Sequence, residues 1–483
     1  MISHFLCFFL LPNFQLGKFS CFFQGIFKLE AVFKIYLWLG EGHIIEVYGP
    51  STMSQLTPQQ VEVAKKYDVS GKLVEFLDRH LFCQVLDSLV KIYGEEKIDQ
   101  LEMQVLKDTY MFDVLKELHA NLKGDAKELA EINEREQKVH ERLIPLNEST
   151  KKTLSTLCSK EIQDNLKQDK ASNRELIKGY GIDDSKIMEL YEFGKLQYNR
   201  GDYVMSSDLL NNFKLLSSDS EKILSATCGK FVSDILSGDI IEAKNEMNNL
   251  REVTDNRNYE GSPLEQVKLR NWLIYNSLFL FFNSNKNSTQ DQLANQLLQL
   301  NEIFISSSYL STIEASCPWI LRYIISSVLY TRDYRRLKDL IKAVNIESYE
   351  FQDPFTQLID TLFIKFNLDN ISETVSNIEI LLETDFFLSK LDKALMMKNI
   401  YTLVVKNVLK IYGELDIEQL KVHFLPNLSQ DIINEISGDF SNNNGKLSLK
   451  GEKESKYFDI YERTKALSFK STQLLNNAFG KDF

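Results

Sequence analysis

The residues with which this 483-residue chain could hold a metal or build a nucleophile are six histidines and six cysteines, and their spacing is scattered. No C-x-x-C or H-E-x-x-H pattern joins them, so neither a zinc site nor a redox pair is assembled locally. The nearest approach is His80 with Cys83, which sit in an apolar helical hairpin and read as packing residues rather than as half a metal site. G-x-x-x-x-G-K-[ST], G-x-G-x-x-G and G-x-S-x-G are also absent. That removes the phosphate cradle, the dinucleotide turn and the nucleophile elbow. The sequence therefore predicts no enzyme, no metal and no cofactor.

Charge offers the next chemistry. Arg332, Arg335, Arg336 and Lys338 are expected on one helix and form the best basic patch, a candidate RNA or ribosome contact. Asp333 and Asp339 lie among them, so a solvated, ion-paired face explains the patch equally well. The formal charge of -12 opposes general binding to a phosphate backbone, which depends on Lys and Arg displacing counterions.

Scattered cysteines in a long chain fit reduced, buried thiols. With 43% hydrophobic residues, 26% charged residues and only 8 prolines, long uninterrupted helices are the default elements. The stretch 186–216, KIMELYEFGKLQYNRGDYVMSSDLLNNFKLL, organises the rest. Leu190, Phe193, Gly194, Tyr198, Gly201 and Tyr203 occupy the bulky, small and turn positions of a tetratricopeptide-like pair. Gly194 admits the second helix closely, and Gly201 supplies the left-handed residue that ends the first. SDILSGDI at 233–240 repeats the turn at an offset of 37, and LYTRDY at 329–334 reads as a weaker third copy. One pair cannot bury its own apolar face, so the repeats must stack into a right-handed helical solenoid.

Five regions follow. Residues 1–52 are an atypical extension, in which the stretch before Trp38 holds nine of the 31 Phe and a single acidic side chain, Glu30. A signal peptide lacks its basic n-region there, and polar residues break a membrane span. A misjoined gene model with Met53 as the start is the favoured reading. Residues 53–185 are an N-terminal helical region, in which Leu129, Ile132, Val139, Leu143 and Leu146 suggest a helix lying on the stack. A linker or divergent repeat is expected over 147–185. Residues 186–412 are the solenoid, including the apolar run WLIYNSLFLFF at 272–282, which is too short to span a bilayer.

Residues 413–457 read helix, helix, strand, a winged helix. Asp416 with Gln419 is expected to cap its first helix, and KLSLK at 446–450 to form its strand. The second helix would expose Gln430, Asp431, Asn434 and Glu435, whose carboxylates favour a protein partner over phosphate. Residues 458–483 form the terminal helix and tail.

A solenoid followed by a winged helix resembles the PCI domain of scaffold subunits in the proteasome lid, the signalosome and the eukaryotic initiation factor. LDRHL at 77–81, GKLQYNRGDY at 194–203, WLIYNSLFLFFN at 272–283, CPWILRY at 317–323 and RTKALSF at 463–469 narrow it to a likeness to the family of the E subunit of translation initiation factor 3. The resemblance implies a non-catalytic, cytoplasmic scaffold whose complex binds the small ribosomal subunit and promotes recruitment of mRNA and initiator tRNA. It also implies that the terminal helix joins those of other subunits. Ile460, Tyr461, Leu467, Leu474 and Leu475 are then the interface candidates, with the winged helix covering only the first turns. A related PCI complex and a winged-helix nucleic-acid binder are the alternatives.

Overall fold

The computed structural model describes residues 56–74, 76–157, 170–256, 262–283, 290–425, 433, 440–443, 446–449 and 456–479. The segment 1–52, the residues Gln430, Asp431, Asn434 and Glu435, and the thiols of Cys7, Cys21 and Cys158 lie outside them. The described chain is mainly α-helical and divides into two compact units, Met1–Asp360 with Ser376–Lys393, and Thr361–Val375 with Ala394–Phe483. None of its helices is long and apolar enough to cross a membrane.

In the first unit the order is α1 Pro58–Lys66, α2 Ser70–Leu73, α3 Arg79–Tyr93, α4 Glu95–Leu106, α5 Phe112–Asn121, α6 Ala126–Leu157, α7 Lys170–Gly179, α8 Asp184–Arg200 and α9 Tyr203–Leu216. Then come α10 Ser220–Ser237, α11 Ile240–Asp255, α12 Pro263–Phe281, α13 Gln290–Phe304, α14 Ser307–Ser316, α15 Leu321–Thr331, α16 Leu337–Glu347 and α17 Pro354–Ile359. From α3 to α6, and again from α8 to α13, each helix packs on the next. The reason is visible at α8 and α9. Leu190, Tyr191 and Phe193 on one helix and Leu209, Leu210 and Phe213 on the other join a single buried cluster. A Cβ on Gly194 would sit 3.1 Å from Leu210 Cδ2, so glycine sets how closely the pair approaches.

Gly201 (φ +96°) and Gly238 (φ +86°) end α8 and α10 in the left-handed region. The amide of the next residue returns to the carbonyl five positions back, Asp202 to Gln197 at 3.0 Å and Asp239 to Asp234 at 2.9 Å. Each aspartate side chain then caps the following helix. The third copy closes the same way, Asp333 to Val328 at 3.2 Å, with Arg332 at φ +56° in the glycine's place. Because Arg332 stops α15, the basic residues do not share a helix as expected. Arg332, Arg335 and Arg336 precede α16, and only Lys338 lies on it.

Gly201→Val should cost roughly 1–3 kcal/mol through the left-handed backbone, since the nearest atom a new Cβ would meet is Met111 Cε at an ordinary 3.6 Å. Thermal unfolding checks this. An unchanged midpoint would mean that the turn tolerates any residue.

Within 147–185, expected to be a linker or a divergent repeat, lie α7 and the end of α6. Helix α6 runs 32 residues, through Pro145, to Leu157. Weak periodicity is overridden by packing: Leu143, Leu146 and Leu154 lie against the α8–α9 cluster, which includes Leu157, while Ile132 joins a separate cluster with Leu106, Phe112 and Leu115. The helix thus lies along the stack and spans two cores. Helix α18 Ile371–Thr384 buries Ile371, Val375, Ile378 and Leu382, spaced four, three and four residues apart along one face.

In the second unit, α19 Lys393–Tyr412 precedes β1 Glu414–Asp416, α20 Ile417–His423, β2 Phe440–Asn443, β3 Lys446–Leu449 and α21 Lys456–Phe479. The strands form one antiparallel sheet in the order β1-β3-β2, with Leu447 opposite both Leu415 and Asn442. Leu420, Leu425, Ile433, Phe440 and Leu447 are buried. Two corrections follow. The sequence reading allowed one strand, but a three-residue strand carries no periodicity and FSNN reads as turn chemistry. Asp416 is the N-cap residue of α20 by position, yet its side chain makes no capping bond.

Candidate assembly surface

Helix α21 is 24 residues long, about 36 Å at 1.5 Å per residue. Ile460, Leu467 and Leu474 recur at intervals of seven, with Tyr461 and Leu475 beside them, on one stripe. All five lie between 56% and 68% exposed. Every other described side chain from Thr464 to Gln473 is exposed too. Ile460 and Tyr461, near the start of the helix, are nearly as open as Leu474. Local bonds, such as Thr464 Oγ1 donating to the Ile460 carbonyl at 2.7 Å, stay within the helix. Solvated apolar stripes of this length mark association surfaces.

The basic segment is less available. Arg336 pairs with Asp333 at 3.2 Å and reaches Glu302 at 3.9 Å, and Arg335 approaches the same Asp333 at 3.6 Å. Asp339, expected to pair within the patch, instead meets Lys342 at 3.1 Å. Arg335 is nevertheless 95% exposed, so its guanidinium can still meet a partner.

The residues that tie the first unit together lie in four of the quoted strings, and three of them, Asp78, Asn276 and Arg322, carry no motif that marks them. Asp78, from LDRHL, caps α3 through the His80 amide at 2.9 Å and accepts from the Tyr198 hydroxyl of GKLQYNRGDY. Its own amide donates to Asn276 Oδ1 of WLIYNS at 3.2 Å, and Asn276 Nδ2 donates to the Phe76 carbonyl at 3.2 Å. His80 Nδ1 lies 3.0 Å from the Tyr203 hydroxyl, within hydrogen-bonding distance. Among the described residues no group of His, Cys, Asp and Glu is arranged to hold an ion. Cys228 and Cys317 are buried free thiols. The fourth string, CPWILRY, carries Arg322, which is 1% exposed. It meets Asp353 at 2.6 Å and Asp385 at 3.1 Å, and donates to the Tyr67 carbonyl near the start of the stack.

Burial pushes the Asp78 carboxyl up to about 6, against the opposing Tyr198 hydrogen bond, and burial pulls His80 down to about 4. Asp78 binds its proton more readily folded than unfolded. It therefore adds stability at low pH that is lost as pH rises through about 6. His80 has the opposite slope over the same interval, so the two offset each other in the wild type. The stability difference between wild type and Asp78→Asn should shift by about 2 kcal/mol in favour of wild type between pH 7 and pH 4. Urea unfolding at both pH values measures it. A pH-independent difference would mean that Asp78 titrates normally.

Comparison with known proteins gives the same family from two directions. Residues 68–197 match the family described as eIF3 subunit 6 N terminal domain. The chain is 35% identical over 431 residues to the E subunit of eukaryotic translation initiation factor 3 from Yarrowia lipolytica, covering 85% of this chain and 99% of that protein. It is 32% identical to the Pyricularia oryzae protein of the same name, covering 86% and 97%, and 30% identical to that of Aspergillus fumigatus, covering 87% and 94%.

Proposed function

Since the chain belongs to the family of the E subunit of eukaryotic translation initiation factor 3, we propose that it is a non-catalytic scaffold component of that multi-subunit factor. In this reading the complex binds the small (40S) ribosomal subunit in the cytoplasm and promotes recruitment of mRNA and initiator methionyl-tRNA. This chain contributes contacts rather than chemistry. The observation that carries the reading is the open apolar stripe of α21. A single subunit that leaves Ile460, Leu467 and Leu474 in water is built to place them against other subunits. The consecutive helix pairs with their recurring left-handed turn support a right-handed helical-repeat solenoid over 186–412. The three-stranded sheet with α20 supports a winged-helix PCI module over 413–457, and 458–483 is then the assembly helix and tail.

Residues 53–185 form the N-terminal helical region. The relatives' names do not favour a proteasome-lid or signalosome subunit.

Sedimentation of cell extract on a sucrose gradient tests the proposal. The chain should travel with small ribosomal subunits and return to the top when α21 is deleted. A chain that stays at the top intact, or that travels with a proteolytic complex, contradicts it.

Arg332, Arg335, Arg336 and Lys338 are the proposed RNA or ribosome contact, subordinate to assembly. Arg335→Glu should leave co-purification of other subunits unchanged and lower the affinity of the complex for 40S subunits by roughly threefold to tenfold at low salt, with the difference fading as salt rises. Equal affinity at all salt concentrations would remove the segment from the binding surface.

A further inference from the structure

The turn that ends α8 and α10 also fixes which residue the next helix directs outward. Val204 and Ile241 stand two residues beyond the capping aspartates Asp202 and Asp239, and they are 61% and 76% exposed. The buried faces of these helices use other positions, Ser206, Leu209, Leu210 and Phe213 on α9 and Ala243, Met247 and Leu250 on α11. Neither outward residue is therefore needed by the stack. The two helices are neighbours, joined by Lys214 and Glu246 at 2.5 Å. Met205 is exposed beside Val204, and Met111 reaches the same edge, with a Cβ at Gly201 falling 3.6 Å from its Cε. Single exposed apolar residues are ordinary, but repetition lines these up along one edge. In the third copy Arg335 takes the equivalent place, which confines the apolar row to the first two.

Five carboxylates, Asp108, Asp202, Asp208, Asp239 and Glu242, are exposed over 107–111, 200–208 and 237–245, against three exposed cations, Lys107, Arg200 and Lys244. A second copy of the chain would bring the same carboxylates face to face, and a phosphate backbone would be repelled likewise. We propose that this edge is a docking ridge for a short segment of another protein, apolar at its anchor residues and carrying Lys or Arg beside them. The inference rests on the reading that the chain works inside an assembly.

Photocrosslinking in the assembled complex tests it, with p-benzoylphenylalanine placed at 204, at 241 or, as a control for assembly, at 474. Positions 204 and 241 should both capture one foreign segment with apolar residues flanked by Lys or Arg. With the probe at 204, Ile241→Lys should abolish that adduct, whereas Ile241→Glu should retain part of it. The ridge is refuted by an acidic segment, a second copy, residues 1–55 of the same chain or RNA as the captured species. It is refuted equally by loss of the same size in both variants, or by no adduct at 204 and 241 while position 474 crosslinks. Failure at 474 as well would fall on the scaffold reading itself.

Discussion

The Leu474→Asp, Leu475→Asp double variant is expected to fold like the wild type and to lose its place in the complex. Both side chains are more than half exposed in the isolated chain, so charging them removes nothing from its own core. In an assembly each would be buried. A buried Leu contributes roughly 1.5–3 kcal/mol, and every 1.4 kcal/mol is tenfold in affinity, so losing two weakens binding by about two to four orders of magnitude. Placing carboxylates in an apolar interface adds to that loss. Circular dichroism and thermal unfolding should match the wild type, while affinity purification of the tagged variant should recover the chain alone. Recovery of the other subunits at wild-type yield would show that α21 meets water in the complex too.

Arg322→Ala has the largest expected effect on stability. The guanidinium is enclosed with Asp353 and Asp385, and Tyr323 donates to Asp385 at 3.1 Å. Burial already raises the Asp353 carboxyl above its ordinary range even with Arg322 against it. Removing the cation leaves two buried carboxylates without their charge partner and the Tyr67 carbonyl without this donor. Breaking one side of a buried ion pair costs about 3–5 kcal/mol. Arg322→Lys should recover only part, because an ammonium cannot meet two carboxylates and a carbonyl with the fixed fork of a guanidinium. Urea unfolding of the full chain provides the measurement. A loss below about 1 kcal/mol for Arg322→Ala would mean that water or rearrangement replaces the network.

Legibility in the sequence followed the range of the interactions. Gly201 and Gly238 announce their turns because the left-handed backbone is a local requirement, and the helix pairs around them followed from spacing alone. Arg332 hid the third turn's consequence. A non-glycine residue at φ +56° gives no signal that a helix stops there, so the basic residues were placed on one helix. Over 147–185, where a linker or a divergent repeat was expected, the described residues hold the end of α6 and all of α7. The end of α6 is held by Leu154 and Leu157 against residues tens of positions away, contacts that the sequence does not display. Strand β1 is three residues long, too short for alternation to register, and β2, FSNN, has a single apolar residue, whereas β3 of the same length alternates as KLSL. Arg322 was legible as part of a distinctive string but not as a clamp, because its partners lie 31, 63 and 255 residues away. The spacing of the α21 stripe is visible in the sequence, whereas the exposure of its five residues is visible only in three dimensions.

The most direct test of the scaffold assignment is purification of the tagged full-length chain from its own cells, followed by identification of the polypeptides bound in near-stoichiometric amounts. The account predicts the other subunits of translation initiation factor 3 together with small ribosomal subunits. Recovery of proteasome-lid or signalosome subunits in their place, or of the chain by itself, would contradict it.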